Sequence, residues 1–387
     1  MSTHPLHGPP LKIAFIGQKG IPATFGGIEF HVDELSRRLA ERGHRVSVYV
    51  RPWYTPADLT TYEGVGLVHT PTIRSKHLDA FLHSFTSSVH ALSQDYDVVH
   101  YHALGPSFFS WMPRLRGQVC VVTIHALDWQ RPKWGRGARA FLKMTERTAL
   151  YLPHATVAVS RALQARFEDK YARSIHYIPN GVNIPALTPA HLISEQYGLL
   201  GQDYVLYLGR LVPEKRVDWL IEAFCRTTSP LRLVIAGDDQ DARGHTHYLQ
   251  EHVGGDGRVI FTGTVGGQLK EELLSNALCY ATASSVEGLP IAVLEAMAHG
   301  RCCLASDIPP HREIIEPGQD GLLFSESSCE ALCGALEDLF ARSIDYRQAL
   351  GQEARRHVEK RYSWERVADA MEALYTRLLA NPEPGIQ

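Results

Sequence analysis

The sequence predicts an α/β protein made of two doubly wound parallel sheets, each covered by helices, with further helices at the C-terminus. Three observations predict it. Short apolar runs alternate with amphipathic helical stretches from residue 12 onward. The alternation breaks at Ile184-Pro-Ala-Leu-Thr-Pro-Ala-His191, a linker with two prolines among small residues, and restarts at Tyr204. The tail, from about Cys329 to Leu379, carries helical periodicity and no strand signal.

Lys12 to Gly17 is the first predicted strand, because Ile13-Ala14-Phe15-Ile16 is apolar on both faces, as a central parallel strand requires. The loop from Gly17 to Gly27 holds Gly17, Gly20, Gly26 and Gly27, which lets backbone come close to a ligand. It contains no G-x-G-x-x-G, which weakens a dehydrogenase reading. A helix over about Glu29 to Arg42 follows, with Val32, Leu35 and Leu39 on one stripe and Arg37, Arg38 and Glu41 facing out. Gly43 caps it, and Arg45 to Val50 is the next strand. Further strands are predicted at Gly66 to His69, Val98 to His102, Val119 to Ile124 and Thr156 to Val159, with helices at Asp79 to Leu92 and Arg136 to Tyr151.

After the linker the series repeats. Tyr204 to Leu208, Leu231 to Ala236, Val259 to Thr262, Cys279 to Ala283 and Cys302 to Ala305 read as strands, and Val217 to Thr227 and Ile291 to His299 as helices. The expected organisation is an N-terminal domain over 1–185, a second over 186–360, and a helix over 361–387 returning to the first. Ligands of doubly wound sheets bind outside the carboxyl ends of the strands, so the expected site is the cleft that two such edges would face.

Composition narrows the class. A 44% hydrophobic share and a 21% charged share are those of a soluble globular protein. The seven cysteines form no CxxC pair and mostly lie in apolar runs, which suits buried, reduced thiols in a cytoplasmic protein. Met1 to Pro10 lacks an apolar signal core, and no run approaches a membrane span. The net charge of −3 hides a split: residues 1–190 hold 21 Lys+Arg against 13 Asp+Glu, and the remainder 18 against 29. A basic front half suits an anionic surface or acceptor, and an incidental difference between two domains explains it equally.

Chemistry-bearing residues cluster at predicted strand ends. Glu287-Gly-Leu-Pro-Ile-Ala-Val-Leu-Glu295 opens a helix after the Cys279 strand, with Pro290 expected at the first helical position and Gly300 after the last. It reads either as a helix start preceded by a solvated Glu, or as a platform whose carboxylates accept from sugar hydroxyls while free N–H groups favour a phosphate. Arg210 and Lys215 follow the Tyr204 strand and suit a diphosphate, or are surface cations at a helix start. His125 sits just past the Val119 strand, where it can reach a substrate hydroxyl or serve structure alone. His100 and His102 end the neighbouring strand, yet no HxxxH, HExxH or cysteine pair supports a metal site. Of two DxD triplets, Asp95-Tyr-Asp97 precedes its strand, and Asp239-Gln-Asp241 reads as a solvated loop rather than a magnesium site. Arg131, Lys133, Arg136, Arg139, Lys143 and Arg147, interleaved with Trp129, Trp134, Phe141 and Leu142, suit adsorption on an anionic bilayer or a solvated helix covering its own domain.

Taken together, Gly26-Gly27-Ile-Glu29, Gly209-Arg210-Leu211-x-x-x-Lys215, Glu287 with Glu295, the Pro179-Asn180-Gly181-Val182 turn and Gly318-x-x-Gly321-Leu322-Leu323 resemble the retaining family-4 glycosyltransferases of GT-B fold. The resemblance runs from Lys12 to about Leu378 and implies two Rossmann-like domains. It implies that Gly26 and Gly27 present backbone to the donor diphosphate, Arg210 and Lys215 clamp it, and Glu295 accepts from the ribose. Glu287, with N–H groups from Gly288 to Ile291, would bind the transferred sugar, and His125 would lie near its anomeric carbon. A UDP- or GDP-linked hexose would then pass, with its α configuration kept, to a glycan or lipid-linked acceptor. Neither cofactor, essential metal nor nucleic acid is implied, since the cationic clamp and the leaving phosphate do that work. The text around Gly20 to Glu29 and His125 to Arg131 is similar to bacterial members that build surface polysaccharides, cytoplasmic enzymes that meet the membrane peripherally. Ala126 and Pro290 depart from that pattern, where relatives carry Gly. A GT-B nucleotide-sugar epimerase and a non-catalytic sugar-nucleotide binder are the alternatives.

Overall fold

The computed structural model describes residues 9–75, 78–130, 134–239, 244–325 and 328–381. Contacts divide the chain into a first unit, Met1–Gly181 with Trp364–Gln387, and a second, Val182–Ser363.

In the first unit the order is β1 (Lys12–Ile16), α1 (Gly27–Glu41), β2 (Arg45–Val50), β3 (Thr61–Tyr62), β4 (Val65–His69), α2 (Asp79–Leu92), β5 (Val98–His102), β6 (Val119–Ile124), α3 (Arg136–Tyr151), β7 (Ala155–Ala158), α4 (Arg161–Tyr171) and β8 (His176–Tyr177). The sheet runs β3-β4-β2-β1-β5-β6-β7-β8, and β3 alone is antiparallel to its neighbour. Ile13 pairs with Val46 on one side and Val98 on the other, so β1 is central and its apolar run is fully buried. The helix predicted from Glu29 starts two residues earlier, at Gly27, because Gly26 takes φ 98° as its N-cap. The strand expected at Thr156 to Val159 lies one residue upstream.

The second unit contains α5 (Leu192–Tyr197), β9 (Tyr204–Leu208), α6 (Val217–Arg226), β10 (Arg232–Ala236), α7 (His245–His252), β11 (Val259–Gly263), α8 (Gly267–Asn276), β12 (Cys279–Thr282), α9 (Ile291–Ala298), β13 (Cys302–Ser306), α10 (Pro309–Ile314), β14 (Leu322–Phe324), α11 (Cys329–Ala341) and α12 (Ile344–Arg361). Its strands are all parallel, in the order β11-β10-β9-β12-β13-β14. Two expectations change here. The turn at Gly318 to Leu323 leads straight into an edge strand, β14, which pairs with β13. Pro290 is the N-cap of α9 rather than its first helical residue, since its ψ of 102° is extended; its carbonyl accepts from Val293 and Leu294.

The chain then returns to the first unit as α13 (Trp364–Ala380). Trp364, Val367, Met371, Leu374 and Tyr375 join one apolar core with Ile13, Phe15, Val48 and Val121 of the sheet and Val32, Leu35 and Leu39 of α1. Gly181 lies flat on the Trp364 ring, where any side chain would overlap the indole. The second core is separate: Val205, Tyr207, Leu233, Ile235 and Leu304 of the sheet pack with Leu220, Ile221 and Phe224 of α6 and Leu332, Leu336 and Leu339 of α11.

Both sheets reverse direction at one strand, β1 in the first and β9 in the second. Ligand-binding crevices form where strand order reverses. At the first reversal, Gly17 has φ 118° and a Cβ there would run into the His102 carbonyl at the end of β5. Gly17→Ala is therefore expected to destabilise the chain by about 2 kcal/mol, from left-handed strain plus the clash. Denaturant unfolding would read it, and a change within error would overturn this view of the turn.

Candidate active site

At the second unit's reversal, the loops after β9 and β12 lie side by side. The Glu214 carbonyl accepts from both the N–H of Ser285 (2.9 Å) and its hydroxyl (3.1 Å). That tie brings Lys215, in a short 3-10 turn over Pro213–Lys215, onto the Glu287 carboxylate as an ion pair. Seventy-two positions of sequence separate them, and both side chains are largely buried. Burial alone would raise the Glu287 carboxyl, but Lys215, His311 and hydrogen bonds from Lys215 and Ser284 outweigh it and hold it below its usual range. Glu287 is thus an anion fixed at a sheet's carboxyl edge. The Arg210 guanidinium, half-buried and five residues before Lys215, has neither an ion-pair nor a hydrogen-bond partner among the described residues. A guanidinium without a partner at a switch point has five N–H donors with which it could bind an anion.

Glu295, a turn into α9, accepts from Lys270 of α8 at 2.6 Å. Its carboxylate therefore arrives already neutralised, and an incoming hydroxyl would share it with an ammonium. Gly288 is buried and Ile291 half-buried, and the N–H groups of Ile291 and Ala292 stand in the open first turn of α9. Gly237, at the end of β10, has φ 148°, and a Cβ there would strike the Gly209 carbonyl. The loops after β9 and β10 therefore touch through backbone.

In the first unit, Gly26 and Gly27 begin α1, and Glu29 folds back so that its carboxylate accepts from the Lys19 N–H at 3.0 Å. His125 directly follows β6 and is buried. It belongs to a histidine group the sequence showed only in part. Its Nε2 meets His102 Nδ1 at 3.0 Å, its ring stands edge-on to His31 at 4.8 Å, and His102 stacks on His100 at 4.3 Å. His31 Nδ1 lies 3.0 Å from the Asn180 side-chain oxygen, and His100 bridges the Tyr375 and Thr123 hydroxyls. Desolvation lowers His31 to about 4, and drives His100 and His102 well below the ordinary imidazole value.

His31, His102 and His125 offer ring nitrogens within 4.8 Å of one another, and are the grouping among the described residues with metal-ligand spacing. The three imidazoles would form an all-nitrogen donor set with no carboxylate among them. The DxD triplets are otherwise occupied. Asp95 pairs with Lys12, and Asp97 accepts from the Lys12 N–H, both at the amino edge of β1. Asp239 accepts from the Thr246 N–H at the start of α7, while Asp241 lies outside the described residues. In the basic segment, Arg131 and Lys133 also lie outside them, and α3 carries the rest.

Residues 25–185 match the family model described as Glycosyltransferase Family 4, and residues 192–357 match Glycosyl transferases group 1. The chain is a GT4-type glycosyltransferase. It is similar to the D-inositol 3-phosphate glycosyltransferase of Geodermatophilus obscurus, 28% identical over 391 residues covering 91% of this chain and 84% of that one. A shorter stretch of 146 residues is 33% identical to the lipopolysaccharide 1,6-galactosyltransferase of Salmonella typhimurium, over 36% of this chain and 40% of that one. Among solved structures, Anabaena HepE in complex with UDP and glucose superposes with a TM-score of 0.78 at 18% identity, over 95% of this chain and 100% of that one. The glycosyltransferase thus has the GT-B architecture of two parallel-sheet, Rossmann-like domains.

Reading residues in order missed three partners of this glycosyltransferase's polar groups. Lys270 sits on a helix with no distinguishing pattern, and nothing in its surroundings points to Glu295. His311, fully buried at the start of α10 with Nε2 unpartnered, acts on the Glu287 charge; the Pro309-Pro310 start is its one local signal. His31 is the sixth residue of a Gly26-Gly27 helix start, and its link to Asn180 spans 149 positions. No described helix is long and apolar enough to cross a membrane.

Proposed function

We propose that this glycosyltransferase is a retaining hexosyltransferase that moves a hexose from a UDP- or GDP-sugar to a glycan or lipid-linked glycan in bacterial surface-polysaccharide synthesis. The observation that carries the reading is the Lys215–Glu287 pair beside the unpaired Arg210, at the strand reversal of the second unit. A departing nucleoside diphosphate needs cations, and a sugar developing positive charge needs a nearby anion; this edge supplies both. The UDP and glucose bound by Anabaena HepE support the donor class. The lipopolysaccharide role in the name of the Salmonella relative supports the acceptor class.

Arg210 and Lys215 would bind the diphosphate, Glu295 the ribose hydroxyls beside Lys270, and Glu287 with the N–H groups of Gly288 and Ile291 the transferred sugar. In the first unit, the backbone at Gly26 and Gly27 is assigned to phosphate and His125 to a sugar hydroxyl. The bond from the anomeric carbon to the diphosphate oxygen breaks as the acceptor oxygen bonds to that carbon on the same face. The acceptor proton passes to the departing phosphate oxygen, so neither a metal nor a protein base is required. The acceptor is met in the cytoplasm, at the membrane surface when it is lipid-linked.

A panel of UDP-, GDP- and TDP-sugars tests this. One nucleotide class should raise the melting temperature, and release of that nucleotide should require acceptor, with an α-linked product by NMR. A β-linked product sinks the retaining mechanism. Acceptor-free conversion of the donor into its epimer would establish an epimerase instead.

A further inference from the structure

The helix α2 is inside out. It buries Asp79, His83, Ser84, Ser87, Ser88 and Ala91, and several of them find partners inside: Asp79 accepts from Arg51 and Trp53, Ser87 bonds Thr70, and Ser88 bonds Tyr101. Its outward stripe is apolar, with Phe85 45% and Val89 46% exposed one turn apart. Next to it, the paired 3-10 turns Pro106–Phe109 and Pro113–Arg116 hold out Trp111 at 41% and Leu115 at 69%.

One rigid aromatic weld joins these elements to α3. The Phe81 ring lies 5.0 Å from Phe109 and 5.9 Å from Phe141, and Phe85 lies 5.7 Å from Phe109. Arg114 donates to the Leu152 carbonyl just past α3 at 2.8 Å. The exposed charge on these stretches has a single sign. Residues 78–92, 105–118 and 134–152 contain two acids, Asp79 and Glu146, and both are buried in ion pairs with Arg51 and Lys170. The cations Arg116, Arg136, Arg139, Lys143 and Arg147 are all exposed.

We propose that α2 and the 106–116 turns form an apolar wedge that inserts Phe85, Val89, Trp111 and Leu115 into the headgroup region of an anionic bilayer, with the cations of α3 resting on lipid phosphates. Exposed apolar side chains on elements welded to a helix with exposed Arg and Lys are the chemistry of an interfacial anchor. Side chains this large would otherwise stay in water at the cost of their hydration. The inference rests on the reading of a membrane-presented acceptor, and extends it from surface charge to insertion.

Sedimentation with vesicles of phosphatidylcholine alone, or mixed with phosphatidylglycerol, tests it on the full chain. Wild type should bind the anionic vesicles and keep part of that binding in high salt, with a blue shift of emission that Trp111→Phe removes. Phe85→Ser with Leu115→Ser should weaken partitioning about 100-fold, about tenfold for each side chain. The thermal shift given by UDP should stay unchanged. Wild-type binding by the double variant, lost only on Arg139→Ala with Lys143→Ala, overturns insertion and leaves adsorption by charge. Absence of binding to either vesicle overturns the wedge; self-association abolished by the double variant would then assign the face to a second copy. Failure of every donor in the panel with vesicle binding intact would sink the transferase details alone.

Discussion

Lys215→Ala is expected to lower turnover about 100-fold or more, the loss typical when one preorganised group that stabilises departing charge is removed. The reason is specific to the pair. Burial pushes the Glu287 carboxyl upward, and Lys215 is the first of the groups that hold it down. Without the ammonium, Glu287 is left in a largely buried place with less reason to stay charged, so the sugar side of the site loses its anion as the phosphate side loses its cation. The melting temperature should fall as well, by an amount equivalent to about 2 kcal/mol, the usual cost of leaving one buried polar group unmatched. Glu287→Gln separates the two effects. It keeps an acceptor for Lys215 and most of the stability, and should still cost about tenfold or more in turnover. Steady-state kinetics with the preferred donor, beside thermal melts, would measure both. Wild-type turnover in both variants would remove the assignment of this edge to catalysis.

Acid should unfold the first unit from within. His31 is fully buried and desolvation holds it near 4, against 6.5 for an ordinary imidazole; His83 is shifted to the same value by burial and by Arg51. Below pH 6.5 the unfolded chain binds protons that these folded imidazoles refuse, so stability falls as the pH drops and levels off near pH 4. Each of the two is expected to cost about 3 kcal/mol across that window. His100 and His102 shift in the same direction and steepen the loss. Urea unfolding at a series of pH values from 7 to 4 would show it, and His83→Gln should flatten the slope. A stability independent of pH over that range would mean that the histidines are reached by water or protonated in the native state.

What could be read from the chain alone follows a physical divide. Ile13 to Ile16 and Val121 to Ile124 declared themselves as strands because every residue in a central parallel strand is buried, and an apolar run records that directly. β3 and β8 have two residues each at sheet edges, too short to leave a pattern. For α2 the helix was legible and its orientation was not. Its apolar stripe faces water, and the buried serines answer to Thr70 and Tyr101, which belong to other elements. The same holds at the site. Arg210, Lys215, Glu287 and Glu295 stand out by their places after strands, whereas Lys270 and His311 matter through partners that folding alone brings near.

The seam at Gly181 and Trp364 carries a consequence for how the chain is made. Everything up to Gly181 leaves the ribosome with one wall of its core absent, because Val367, Met371, Leu374 and Tyr375 are translated only after the second unit. The stretch from Val182 to Ser363 is uninterrupted and can close its own sheet while the N-terminal strands are still waiting. The segment made first is therefore finished last. A nascent chain stalled before residue 364 would present its open flank to chaperones and proteases with its second half already complete.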